Sequence, residues 1–158
     1  MKGHAIETGD FAIASDPRDP TLAPTAEVPP PQFNFAPLLN AVDTLTRAAD
    51  AFENAYGAWS HGSDTAETVL RGINEQLVKS ERDLTSPAGL PRRPWYRHLL
   101  YAPGYYTGYG VKTMPGAREA IEQDEWGDVN AQIARIADAL MAEAALVNNA
   151  ASALGRAK

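Results

Sequence analysis

Proline placement constrains this chain more than any other feature. Seven of its twelve prolines fall before Leu38 (Pro17, Pro20, Pro24, Pro29, Pro30, Pro31 and Pro37), and the other five are Pro87, Pro91, Pro94, Pro103 and Pro115. An interior proline removes a helical hydrogen bond and clashes with the turn before it, so long helices are confined to the proline-free stretches 38–86 and 116–158. Alanine dominates the later stretch while Val and Ile are scarce, which favours helix over sheet. The triple Pro29-Pro30-Pro31 favours polyproline II, a conformation without internal hydrogen bonds. Residues 1–32 therefore read as an extended Pro-rich arm or linker, either free or docked on a neighbouring domain or subunit, and residues 33–158 as a helical domain.

Apolar residues recur at Leu38, Val42, Leu45, Ala49, Phe52, Tyr56 and Trp59, a heptad-like stripe that predicts one helix ending near Gly57 and Gly62. Pro37 suits a first helical position. A second helix is predicted from Asp64, with Glu67 completing a capping box, through Val69, Leu70, Ile73, Leu77 and Val78 to about Leu84. A short helix is expected from Pro115 to about Glu125, broken by Trp126-Gly127. Asp128 is then expected to cap the last helix, whose stripe is Val129, Ile133, Ile136, Leu140, Ala144, Val147, Ala151 and Leu154. Its many alanines permit close approach from more than one side. The expected fold class is all-α: a four-helix bundle carrying one long structured loop.

That loop, 87–115, holds five prolines and the glycines Gly89, Gly104, Gly108 and Gly110, so no long helix crosses it. It also carries Trp95, Tyr96, Tyr101, Tyr105, Tyr106 and Tyr109, an aromatic density that argues against disorder. Loops of this length in a compact domain usually have a function.

Catalytic constellations are missing. His4, His61 and His98 form no H-x-D or H-E-x-x-H arrangement, and there is no cysteine, so no zinc ligand set stands out. No G-x-S-x-G or Walker-type loop occurs, and Gly104–Gly110 lacks the strand-to-helix setting of a phosphate cradle. A net charge of −6 without a Lys/Arg stripe argues against nucleic acid, and no apolar run reaches the ~20 residues of a membrane span. Glu119, Glu122, Asp124 and Glu125 read as a solvated acidic face. Arg92, Arg93 and Arg97 read as braces for the loop rather than as a carboxylate clamp, and His98 as a satisfied buried histidine. No catalytic and no metal-binding residue is expected in this chain.

Residues 87–103, Pro-Ala-Gly-Leu-Pro-Arg-Arg-Pro-Trp-Tyr-Arg-His-Leu-Leu-Tyr-Ala-Pro, closely resemble a loop of the glutamate carboxypeptidase II and transferrin receptor family. Met114-Pro115-Gly116 is similar to that family's aromatic-Pro-Gly. Asn74-Glu75-Gln76-Leu77 with Glu81-Arg82, and Trp126-Gly127-Asp128-Val129 with Gln132-Ile133, resemble its other helical motifs. The resemblance covers roughly residues 33–155.

It implies a transferrin receptor-like dimerisation domain, in which two copies pack across a two-fold axis. An obligate contact of that kind buries on the order of 2,000 Å² or more. Its seam is expected on the last helix and the second. The resemblance further implies a zinc-dependent parent hydrolase, the zinc lying in a separate peptidase domain. That domain would be a partner within the same parent chain, and only the resemblance favours an extracytoplasmic location. The family's loop after Tyr-Ala-Pro also helps form the substrate pocket, where a Lys-Tyr pair binds carboxylate. Counted without a gap, that pair falls on Gly108-Tyr109. Tyr109 retains a hydroxyl for a substrate carboxylate, or else packs on its own loop. Gly108 offers no cation and Lys112 lies too far along, so a peptide other than one ending in glutamate is implied. The alternative is a protein-ligand module of the transferrin receptor type.

Overall fold

A computed structural model describes residues 28–60 and 67–156, so His4, His61, Gly62, the Asp64 cap and most of the arm lie outside the described residues. The chain divides into two units, Met1–Pro31 and Gln32–Lys158. Of the first, residues 28–31 are described and are exposed without regular structure.

The second unit is mostly helical. Helix α1 spans Ala36–Ser60. It starts where Asn34 Oδ1 accepts the Ala36 N–H at 3.0 Å, while Asn34's own N–H donates to Asn130 Oδ1 at 3.2 Å. Gly57 does not stop this helix. Glycine costs only about 1 kcal/mol in a helix interior, too little to end one packed along its length. Helix α2 spans Glu67–Leu77 and a single turn, α3, spans Ser80–Asp83. The expected continuous helix to Leu84 is broken because the Lys79 N–H donates to Gln76 O, three residues back, at 2.9 Å. Ser80 Oγ then ties α3 across the domain to Glu143 Oε1 at 2.7 Å.

Strands β1 (Tyr101–Pro103) and β2 (Val111–Thr113) form an antiparallel ribbon with Tyr101 opposite Thr113 and Pro103 opposite Val111. The all-α expectation did not include this ribbon. Helix α4 spans Pro115–Glu122 and α5 spans Trp126–Arg156. Trp126-Gly127 is thus the first turn of α5 rather than a break, and Asp128 lies within that turn instead of capping it. What separates α4 from α5 is Asp124 at φ 58°, a left-handed conformation that a helix cannot contain.

Helices α1, α2, α3 and α4 all pack on α5. The α5 stripe is buried as expected at Val129, Ile133, Ile136, Leu140, Ala144, Ala151 and Leu154. On α1 the buried face is displaced: Leu38, Ala41 and Ala48 are buried, while Val42 and Tyr56 are about half exposed. One core cluster joins Leu38 and Ala41 to Leu90, Leu99, Ala117 and the first half of α5. A second joins Ile73, Ala150 and Leu154, with Phe52 and Trp59 packed against it.

Candidate functional site

The loop between α3 and α4 is laced to itself by backbone hydrogen bonds and tied to α5 by Arg135. Ser86 N–H donates to Arg97 O at 2.9 Å, Leu99 N–H to Leu84 O at 3.0 Å, and Met114 N–H to Leu100 O at 2.8 Å. Arg135 on α5 reaches up with Nη2 to Gly89 O at 2.7 Å and Ser86 Oγ at 3.0 Å. Its Nη1 donates to Gln132 Oε1 at 3.0 Å. Gly89 sits at φ +64°, and a Cβ there would lie 2.2 Å from Pro94 O, so both the backbone conformation and the space call for glycine.

Below the ribbon lies a buried ion pair. Arg93 Nη2 donates to both carboxylate oxygens of Glu119 at 2.7 Å, and the two side chains are 4% and 7% exposed. Arg93 Nη1 also donates to Pro103 O, and Glu119 Oε1 accepts the Tyr105 N–H at 2.8 Å. The guanidinium lies 5.3 Å from the Tyr96 ring centre and 5.7 Å from that of Tyr105. Removing one partner of such a pair typically costs about 3–5 kcal/mol, because the other charge is left buried and uncompensated. Arg92, at φ 60°, donates to Glu125 Oε1 at 2.9 Å and to Gln123, with its guanidinium 5.0 Å from the Tyr105 ring centre.

Arg92 and Arg93 therefore brace the loop as the sequence suggests, but the acidic face is not simply solvated. Glu119 is buried beneath it, Glu125 holds Arg92, and Glu122 pairs with Lys112 and with Arg118 Nε at 2.9 Å. The Lys112 ammonium holds the Glu122 carboxyl below the usual glutamate range, opposed in part by burial and helped by Arg118. Lys112, its side chain 13% exposed, is committed to that contact. His98 is partly satisfied: Nδ1 accepts the N–H groups of Leu100 and Tyr101 at 3.2 and 3.3 Å. Its Nε2 lies 3.3 Å from Glu81 Oε2 without hydrogen-bond alignment, and its ring is tilted 31° against that of Tyr101 with the ring centres 3.8 Å apart.

The ribbon turn ends in open space. Gly104 N–H donates to Gly110 O at 2.9 Å, closing a tongue of residues 104–110. Tyr109 at its tip is fully exposed, so it does not pack on its own loop. Gly108 beside it adopts φ +62° with nothing within 4 Å of where a Cβ would sit. Trp95, Tyr105 and Tyr106 are also exposed, giving an aromatic surface on a rigid base. Among the described residues no group of three His, Asp or Glu could hold a metal ion. The zinc implied by the resemblance would need ligands from other residues. No helix among the described residues is long and apolar enough to cross a membrane.

Two further surfaces are open. A groove of about 670 Å³ runs between α2–α3 and α5, with Lys79, Asp83 and Arg156 on its walls and Ala142, Ala145 and Leu146 along it. Val78 nearby is 77% exposed. Phe35, just before α1, and Leu39, Val42 and Tyr56 on it leave exposed apolar side chains.

Comparison with known proteins gives one family and a consistent set of relatives. The family model described as transferrin receptor-like dimerisation domain matches residues 33–148. A protein of Arabidopsis thaliana named probable glutamate carboxypeptidase is 40% identical over 108 residues, covering 63% of this chain and 16% of that protein. A Rattus norvegicus protein named aminopeptidase is 28% identical over 121 residues, covering 72% of this chain and 16% of the relative. A Schizosaccharomyces pombe protein named inactive zinc metalloprotease is 31% identical over 106 residues, covering 63% and 13%. The chain thus spans about one sixth of the length of these relatives or less.

Proposed function

The chain belongs to the transferrin receptor-like dimerisation domain family, and from that membership we propose that it assembles with a second copy of itself and, in a longer zinc hydrolase, lends the 104–110 tongue to the substrate pocket. In this reading the four longer helices constitute the four-helix bundle of the domain class. Residues 33–158 form the assembling domain and residues 1–32 a linker.

The single observation that carries the pocket reading is a braced tongue that ends on an unpacked tyrosine. A tongue held by a buried ion pair but presenting Tyr109 to open space is preorganised for a surface that this chain does not itself supply. Tyr109 would donate its hydroxyl to a substrate carboxylate. Gly108 carries no charge and the Lys112 ammonium is held by Glu122, so neither would supply a cation there. A substrate other than a peptide ending in glutamate follows.

The seam of the dimer is assigned to α2, α3 and α5. Val78 is largely exposed, and the neighbouring groove offers Ala142 and Ala145 for the close approach of a partner helix. The second reading, a module for a protein ligand, is favoured by exposed Phe35, just before α1, and Leu39, Val42 and Tyr56 on it, which the assigned seam leaves open.

Light scattering behind size exclusion, over a dilution series, tests the assembly. A mass near twice 17.0 kDa is expected, and a mass of 17.0 kDa throughout would remove self-assembly from the proposal. Since one relative is named inactive, peptide hydrolysis by the full-length parent is measured before the Tyr109→Phe variant. A raised KM with kcat retained supports the pocket role.

A further inference from the structure

We infer that the buried Arg93–Glu119 pair is the positioning element of the tongue, so that Glu119, from inside the domain, sets where Tyr105 to Tyr109 stand. This deepens the pocket-loop reading and rests on it for any consequence in substrate binding.

The contacts are distributed in a way that fold stability alone does not require. Glu119 is on α4, and one carboxylate oxygen serves two donors: Oε1 accepts from Arg93 Nη2 at 2.7 Å and from the Tyr105 N–H at 2.8 Å. Arg93, on the preceding loop, donates its other terminal nitrogen to Pro103 O, the last residue of β1. The pair therefore holds the chain at Pro103 and Tyr105, the two residues flanking Gly104, where the tongue leaves the ribbon. Gly104 itself is sealed in: a Cβ there would lie 2.0 Å from Thr107 Oγ1. Beyond Gly104 the tongue is exposed from Tyr105 to Val111. Its entry is fixed by a buried charge-assisted network while its tip has no packing of its own. Charge-assisted, bidentate bonds fix orientation more sharply than apolar contact does.

Buried ion pairs can often be replaced by apolar residues of similar size with little loss of stability. The pair thus separates holding the fold from aiming the tongue. In the double variant Arg93→Met/Glu119→Leu the apolar side chains refill the space, but the acceptor of the Tyr105 N–H is gone and nothing grips Pro103 O.

The test is amide hydrogen exchange on this 158-residue chain, read at Tyr105 and Gly104 and, as an internal reference, at α5 amides around Ile133. In the double variant, protection at Tyr105 is expected to fall about ten- to hundredfold, the range for losing a hydrogen bond to a charged group, with α5 unchanged. Glu119→Asp, which keeps the charge, is expected to restore part of it. If the double variant unfolds, Glu119→Gln serves: its neutral amide no longer holds Arg93 through two oxygens, so Tyr105 protection is expected to fall by less than in the double variant, and unchanged protection there likewise overturns the inference. Tyr105 protection that stays unchanged in a folded double variant overturns the inference. The same substitutions are carried into the full-length parent, where a raised KM with kcat retained is expected. Released exchange without any change in KM would sink the pocket-loop reading and leave the positioning role standing, whereas unchanged exchange sinks the positioning role alone.

Discussion

Gly89 and Gly108 share almost the same backbone conformation, φ +64° and +62°, but not the same surroundings. An alanine at either must adopt the left-handed region, which costs about 1–2 kcal/mol. Restricting the unfolded chain returns roughly 0.4–1 kcal/mol. At Gly108 nothing lies within 4 Å of where the added methyl would sit, so the net cost of Gly108→Ala is expected to be about 0–1.5 kcal/mol. At Gly89 the methyl would meet the O, C and Cα atoms of Pro94 at 2.2, 2.6 and 2.6 Å. All three are backbone atoms of a residue whose φ is locked by its ring, so they cannot turn aside. Overpacking adds about 1–3 kcal/mol, and the upper end applies here because Leu90, next in the chain, is buried in the core. Gly89→Ala is thus expected to cost about 3–4.5 kcal/mol. Both variants are compared with the parent chain by urea denaturation followed by circular dichroism. The conformational term cancels between them, so the difference isolates the steric one. Costs equal within about 0.5 kcal/mol would refute the reasoning, since space would then have counted for nothing.

Other consequences are testable in the same material. Ile133→Ala, at a site 1% exposed, is expected to lose about 2–5 kcal/mol in the same denaturation assay. Ala145→Glu, on the exposed side of α5, is expected to leave monomer stability within about 0.5 kcal/mol while halving the mass seen by light scattering. Val42→Lys on α1 is expected to leave that mass unchanged, and the reverse pattern would move the seam to α1. The Glu122 carboxyl has a lowered pKa in the folded chain, so its small contribution is present above the ordinary glutamate range and lost as pH falls through the lowered value. Acid titration of the melting temperature is expected to show that loss in the parent chain and to show less of it in Lys112→Met, which lacks the principal cause of the shift.

The two long helices differ in how far they were legible. Large apolar residues on α5 recur at helical spacing with only alanines between, so its stripe is the buried face. On α1 the same rule selected Val42 and Tyr56, yet Ala41 and Ala48 are the residues pressed to 1% exposure. Against an alanine-rich partner the axes come close, and small side chains on both helices become the contact while larger ones are displaced to the rim. Periodicity weighted by size cannot see this. The end of α4 was misplaced because a left-handed Asp124, not a glycine, makes the turn. The loop's motif was readable and so was the bracing by arginine. That Glu119 is the buried acid was not readable, because 26 residues separate it from Arg93 and only the ribbon between them brings the two together.

The dependence of α1 to α4 on α5 has a consequence for how the molecule is made. Synthesis is vectorial, and α5 follows the other four helices among the described residues. While the ribosome is still upstream of it, α1 has Leu38, Ala41, Leu45 and Phe52 facing water with their eventual cover untranslated. Residues that meet in the first core cluster, such as Leu38 and Ile133, stand far apart in sequence, and closing so long a segment slows folding. A nascent chain of this kind is therefore a natural client for chaperones that shield apolar surface, and a nonsense codon within α5 would strip the cover from α1, α2, α3 and α4 alike.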